Sequence, residues 1–142
     1  MSLASCFDRG YLRKITPEPE KVRSSLKQSM HCLSRAKGVM KLAYYDIAFA
    51  QAYNSMLQTA RAILFRDGIK ERSHECVAVY LKERYSNSGF SDYIDVFDNY
   101  RASRHFIQYE GGLCTKESAM QSIEDSEKFL ELVKKELAAG IK

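Results

Sequence analysis

The sequence predicts an all-α fold, a five-helix antiparallel up-and-down bundle. Apolar residues recur at helical spacing along most of the 142 residues, strand-like alternation is absent, and capping residues stand where helices would begin and end. With 45% hydrophobic residues and only two prolines, the chain can bury one core. We therefore expect a single domain over residues 1–142, with residues 1–15 irregular.

The first two predicted helices are long. Thr16 is the expected N-cap of the first helix, with Pro17 at the first helical position. The second runs from about residue 42 to residue 67 and ends at Gly68, the residue type favoured for a left-handed C-cap. It is apolar or small around most of its circumference, which predicts the central helix of the bundle. Apolar positions of the first helix are Val22, Leu26, Met30, Leu33 and Met40.

Three further helices follow along the chain. Ser73 is the expected N-cap of the third helix, which ends before the turn-forming "SNSG". The fourth spans "GFSDYIDVFDNYRASRHFIQYEGG", residues 89–112, and the fifth has Thr115 as its cap. The apolar stripe of the fifth helix consists of Met120, Ile123, Leu130, Val133 and Leu137.

Composition argues against metal-binding, secreted and membrane-spanning classes. No apolar run reaches the roughly 18 residues of a membrane span, and the N-terminus lacks the apolar centre of a secretory signal. We expect a cytoplasmic protein with no membrane partner. The cysteines lie far apart without zinc-site spacing, so we expect free thiols and neither a metal nor a cofactor. They are Cys6, Cys32, Cys76 and Cys114.

Charge is distributed unevenly along the chain, whose net charge is +4. Residues 1–85 contain 15 Lys and Arg against 8 Asp and Glu, whereas residues 86–142 contain 7 against 10. The densest basic stretch, Lys21 to Lys41, has no acidic residue. It is either a solvated helix face or a surface that attracts phosphate groups.

The segment "NYRASRHFIQY" places several polar groups on one helix. Arg101, Arg104, His105 and Gln108 fall at i, i+3, i+4 and i+7 and so share a face, with Tyr109 one turn beyond His105. Guanidinium binds phosphate in a bidentate manner, and histidine is the usual proton carrier near neutral pH. The alternative is a solvated edge on which the arginines pair with Asp98, Gln108 or Glu110. The adjacent stripe expected to face the core is Tyr93, Val96, Tyr100, Ser103 and Ile107.

The central helix and the segments after it resemble the HEPN family of small all-helical domains, which are often encoded beside a minimal nucleotidyltransferase as toxin and antitoxin. The resemblance covers residues 42–109. It is carried by "ARAIL" in the central helix, by Gly68 at its end, by "SHECV" opening the next helix, and by an arginine with a polar neighbour late in the fourth helix.

The family signature is an arginine, often followed by Asn, Asp or His, and then a histidine after four to six intervening residues. Arg104 matches the arginine and His105 its polar neighbour, while Tyr109 stands where the later histidine would be, as in one HEPN subgroup. Reading Arg101 with His105 leaves three intervening residues, one too few. The resemblance also makes Tyr109 a candidate for modification with AMP by the partner enzyme.

The resemblance implies three possible functions. The first is a homodimer that binds RNA, a nucleotide or a nucleotidyltransferase partner and is catalytically weakened by Tyr109. The resemblance implies catalytic roles for Arg104, His105 and Tyr109, and the expected ligand-binding residues are Arg101, Gln108 and His74. The second is an active, metal-independent ribonuclease toxin, and the third is a structural interaction module. His74, in "SHECV", is otherwise a packing residue. Three tyrosines of the central helix are expected in the core, with base stacking as the alternative use: Tyr44, Tyr45 and Tyr53.

Overall fold

The computed structural model describes residues 1–109 and 112–139, apart from the side chains of Gln108 and Tyr109. Within these residues the chain forms six helices and two short strands, so the all-α prediction is confirmed. The elements in chain order are α1 (Leu3–Asp8), β1 (Leu12–Lys14), α2 (Pro19–Met40), α3 (Tyr45–Arg66), β2 (Ile69–Glu71), α4 (His74–Arg84), α5 (Asp92–Tyr109) and α6 (Lys116–Ala139).

Helix α3 is the centre of the molecule, as its apolar circumference predicts. It packs against α2 and α6 along most of its length and against α4 and α5 on another side. Four of its alanines, Ala48, Ala52, Ala60 and Ala62, are fully buried, and their small side chains allow neighbouring helices to approach closely. Buried hydroxyls join it to α2, since Ser29 Oγ lies 2.8 Å from both Ser55 Oγ and Thr59 Oγ1.

The N-terminal segment differs from the prediction. Residues 1–15 were expected to be irregular, but they contain α1 and β1, and β1 pairs antiparallel with β2. A bond between Cys6 and Cys76 joins α1 to α4, with 5.8 Å between the two Cα atoms, so the expectation of four free thiols was wrong for this pair. These two cysteines, far apart in sequence, meet because β1 pairs with β2, which brings α1, just before β1, close to α4, just after β2. Cys32 and Cys114 are free.

Helix ends agree with the prediction at some positions and not at others. Ser73 caps α4 by accepting a hydrogen bond from Cys76 N, and Thr115 caps α6 by accepting one from Ser118 N. The predicted cap at Thr16 is wrong, because α2 begins at Pro19 after Glu18. The Glu18 N–H instead donates to the carbonyl of Phe65, which ties this segment to the end of α3.

Two predicted apolar stripes are wrong in part. Met30 of α2 and Met120 of α6 are exposed. The buried positions of α2 are mostly small because the helix lies close against α3: Ser25, Ser29, Cys32, Leu33 and Ala36. Among the described residues, no helix combines the length and apolarity that crossing a membrane requires.

Candidate phosphate-binding site

The core-facing stripe of α5 is apolar in the first half of the helix and basic in the second half. Ile94 and Phe97 are buried, and Arg101 and Arg104 continue the same stripe at helical spacing. The two arginines therefore extend from the core-facing side of α5 and are half-buried. The predicted core stripe is only partly correct, since Tyr93, Val96, Tyr100 and Ile107 are half-buried and Ser103 is exposed.

Tyr53 of α3 forms the base of the site. Its side chain is fully buried, and its ring stacks on Phe97 with a centroid distance of 5.6 Å and an interplanar angle of 5°. The Arg104 guanidinium carbon lies 5.1 Å from the centroid of the same ring, within range of a cation–π interaction. The guanidinium of Arg104 is thus held by an aromatic face, where its charge remains available to an anion.

His74 is the first residue of α4 and contacts the hydroxyl end of Tyr53. Tyr53 Oη lies 3.0 Å from His74 Nδ1. Burial lowers the pKa of His74, and the nearby Arg104 and Arg61 lower it further, against the opposing effect of Glu71. The imidazole is therefore held in its neutral form. Burial also raises the pKa of Tyr53, so its hydroxyl stays protonated.

Two ion pairs flank this centre. On α3 and β2, Arg61 Nε lies 2.6 Å from Glu71 Oε1, whose side chain is only 8% exposed. On α5, Arg101 Nε donates to Asp98 Oδ1 at 2.9 Å. Burial raises the pKa of Asp98, but hydrogen bonds from Lys82 and Arg101 outweigh it and lower the pKa below its ordinary value. The Asp98 carboxylate is thus ionised, and each of the two carboxylates contacts one arginine of the site.

We call Arg61, Arg101 and Arg104, together with Tyr53 and His74, the arginine cluster. Three guanidinium groups and one neutral imidazole converge there, and two carboxylates partly balance them. The strand pairing positions one side of it, because β1 holds β2, and β2 presents Glu71 just before the cap of α4. Such a group of hydrogen-bond donors with excess positive charge is suited to a phosphate.

The structure brings some predicted residues together and leaves others apart. Arg101, Arg104 and His74 lie in the cluster, whereas His105 lies one residue further, about 100° around the helix, and is exposed. The side chains of Gln108 and Tyr109 lie outside the part of the structure that is described. The AMP-acceptor prediction for Tyr109 therefore stays untested.

The sequence prediction did not include Tyr53, Arg61 or Glu71 among the functional residues. Arg61 carried a signal, because it is the one charged residue between Asp46 and Arg66 in an otherwise apolar and polar-neutral helix. Tyr53 was correctly expected in the core with a partner for its hydroxyl, whereas the same expectation was wrong for Tyr44, which is exposed, and Tyr45 is half-buried. Nothing in the local pattern of β2 identifies Glu71, since its role depends on α3 lying beside it.

Comparison with known protein families finds one family model that matches this chain. The family model described as HEPN domain matches residues 22–137, which is most of the chain. A search of curated proteins found no match.

Proposed function

This chain belongs to the HEPN domain family, and we propose that it binds RNA through the arginine cluster. The observation that carries the proposal is the position of Arg104, which lies on the Tyr53 ring beside a neutral histidine and two further arginines. Among the described residues, no carboxylate lies within ion-pair distance of Arg104. Its positive charge is therefore the one in the cluster that a phosphate group would neutralise.

Cleavage of RNA is the second candidate, and His74 favours it. Attack by the 2′-hydroxyl requires a base for its proton, a proton for the leaving oxygen, and positive charge against the phosphate. A neutral His74 whose Nδ1–H donates to Tyr53 would leave Nε2 able to accept a proton. The opposite tautomer would protonate Nε2 and remove this base.

We expect cleavage to be weak for two reasons. The family signature has a histidine where this chain has Tyr109, and tyrosine, with a pKa of about 10, is a poor base near neutral pH. His105, which follows Arg104 directly, is exposed and lies about 100° around the helix from it. The protein therefore acts first as a binder of RNA.

The assembly we propose is a homodimer, with a minimal nucleotidyltransferase as a further partner in a toxin–antitoxin system. A cluster on one small bundle is shallow, and a two-fold axis would place two copies against one RNA strand. Whether the adjacent reading frame encodes a nucleotidyltransferase tests the second partner directly.

The test of RNA binding is Arg104→Ala. We expect the variant to bind a labelled single-stranded RNA of about twelve nucleotides at least tenfold more weakly, equivalent to about 1.4 kcal/mol. The fold should remain, because the substitution removes one cation–π contact worth about 0.5–1 kcal/mol. Fluorescence anisotropy and thermal melting measure the two effects.

The matched control is Arg84→Ala, which removes the same charge from an exposed position at the other end of α4. It should weaken binding less than twofold. Equal affinities of the two variants would refute the proposed site. An RNA cleavage assay in EDTA separates the candidates, because cleavage by the wild type that is lost in both Arg104→Ala and His74→Ala would favour the ribonuclease.

A further inference from the structure

In the part of the chain that the structure describes, one face of helix α3 is half-buried, whereas most of the other residues of the helix are buried. Its contacts with α2 run through Ser55 and Thr59, and its contacts with α5 run through Tyr53. The face between these two contact lines is formed by half-buried residues at helical spacing. They are Ala50, Asn54, Gln58 and Arg61, and we call them the α3 floor.

The α3 floor links the arginine cluster to α2. Arg61 belongs to both the floor and the cluster, and Gln58 lies one turn before it, at a Cβ separation of about 5–6 Å. Gln58 in turn lines an open cleft of about 400 Å³ against α2. The α2 residues lining that cleft are Ser24, Ser25, Lys27, Gln28 and His31. The floor, the cluster and the cleft thus form one continuous surface.

Part of the positive charge of α2 lies at this cleft, which Lys27 lines. Lys21, Arg23 and Lys37 each form an ion pair, with Glu18, Glu20 and Glu127 respectively. Lys27 and Arg35 have no such pair among the described residues. Both are exposed and share a face of α2 with His31 at i, i+4 and i+8. In the basic stretch of the sequence, some positive charges are therefore neutralised by ion pairs, whereas those of Lys27 and Arg35 are not paired among the described residues.

We propose that a single-stranded RNA bound at the arginine cluster continues across the α3 floor to a second phosphate subsite formed by Lys27, His31 and Arg35 of α2. This inference rests on the proposed function and names its substrate as an extended single strand rather than a mononucleotide. The polar, uncharged side chains of Asn54 and Gln58 offer hydrogen bonds to bases or sugars between the two subsites.

The test compares a long and a short ligand. Lys27→Ala/Arg35→Ala is expected to weaken binding of a single-stranded RNA of about twelve nucleotides at least fivefold and to leave binding of an RNA dinucleotide unchanged. The slope of log K against log salt should fall by about 1.4, because each phosphate contact with a single strand contributes about 0.7. Anisotropy at several salt concentrations gives both quantities.

The matched control is Lys37→Ala/Lys128→Ala, which removes two positive charges that already pair with Glu127 and Glu131. Its salt slope should change by less than half as much. If the two double variants behave alike, or if a duplex RNA of the same length binds as tightly as the single strand, the second subsite is wrong. Loss of both ligands in Arg104→Ala would still support the proposed function, whereas retention of both would refute it independently of α2.

Discussion

At the scale of single residues, the cluster depends on a buried tyrosine that stays neutral. Burial raises the pKa of Tyr53, so its side chain stays neutral. Its hydroxyl forms a hydrogen bond with His74, and its ring contacts the Arg104 guanidinium. Burial lowers the pKa of His74, the three arginines lower it further against the effect of Glu71, and His74 is kept uncharged beside these three cations. A histidine in this setting resists protonation and makes the folded state sensitive to acid.

The first prediction concerns this sensitivity. The pKa of His74 is lower in the folded protein than the value of about 6.5 in the unfolded chain, so between the two values the unfolded state binds more protons. The contribution of neutral His74 to the free energy of unfolding is present above about pH 6.5 and is lost as the pH falls below that value. His74→Gln should therefore flatten the dependence of the unfolding free energy on pH between about pH 5 and pH 7.

Urea unfolding at a series of pH values measures the difference. His31→Gln is the control, because it removes the same type of side chain from an exposed face of α2. It should retain the pH dependence of the wild type. A His74→Gln protein whose stability falls with acid as steeply as the wild type would show that His74 is not the group responsible.

The sequence could identify part of this site and not all of it. Helical spacing shows which residues share one face of one helix, and it correctly put Arg101 and Arg104 together. It does not show which other elements meet that face. Tyr53 and Glu71 reach the cluster only through the packing of α3 and the pairing of β2, and both depend on contacts between distant parts of the chain.

At the scale of elements, the turn between α3 and β2 positions β2, whose Glu71 contacts Arg61 of the arginine cluster. Gly68 has φ of +74°, and its carbonyl accepts a hydrogen bond from Ile15 N at 2.8 Å. The sequence predicted a left-handed glycine at this position, and the structure confirms it. The strands themselves were missed, because three residues are too few to show an alternating pattern.

The second prediction uses two glycines with different surroundings. Gly68→Ala should lower stability by more than about 1–2 kcal/mol, because its backbone is left-handed and a Cβ would lie 2.6 Å from the Ile15 carbonyl oxygen. Gly38→Ala, inside α2 with no atom within 4 Å of its Cβ, should raise stability by about 0.5–1 kcal/mol. Chemical denaturation measures both, and the same sign for the two variants would contradict this account of the turn.

At the scale of the whole molecule, exposed apolar side chains gather at one end of the bundle. The α5–α6 connection meets the start of α3 there, since Cys114 Sγ lies 3.4 Å from the Tyr45 carbonyl oxygen. Phe106 and Leu113 line a cavity with Phe49, and Met120 lines another with Met40. This apolar end contains six of the eight large exposed apolar residues among those described: Leu42, Tyr44, Ile47, Phe106, Leu113 and Met120.

An apolar surface of this kind indicates a protein interface, and its position suggests which one. Phe106 lies two residues after Arg104, so the apolar end adjoins the arginine cluster. A second copy of the chain packed here would cover the apolar side chains and bring two clusters toward one ligand. The surface therefore supports the proposed two-fold homodimer.

The third prediction is that the protein in solution has twice the 16.3 kDa mass of one chain and that Ile47→Glu converts it to a monomer. A buried charge at an apolar interface costs several kcal/mol, enough to dissociate a dimer at micromolar concentration. The control is Met30→Glu on α2, because Met30 and Ile47 are both 45% exposed. Size-exclusion chromatography with light scattering distinguishes the outcomes. A wild-type monomer at high micromolar concentration would exclude the dimer. A dimer that survives Ile47→Glu but not Met30→Glu would move the interface to the side of α2 where Met30 contacts Lys134 of α6.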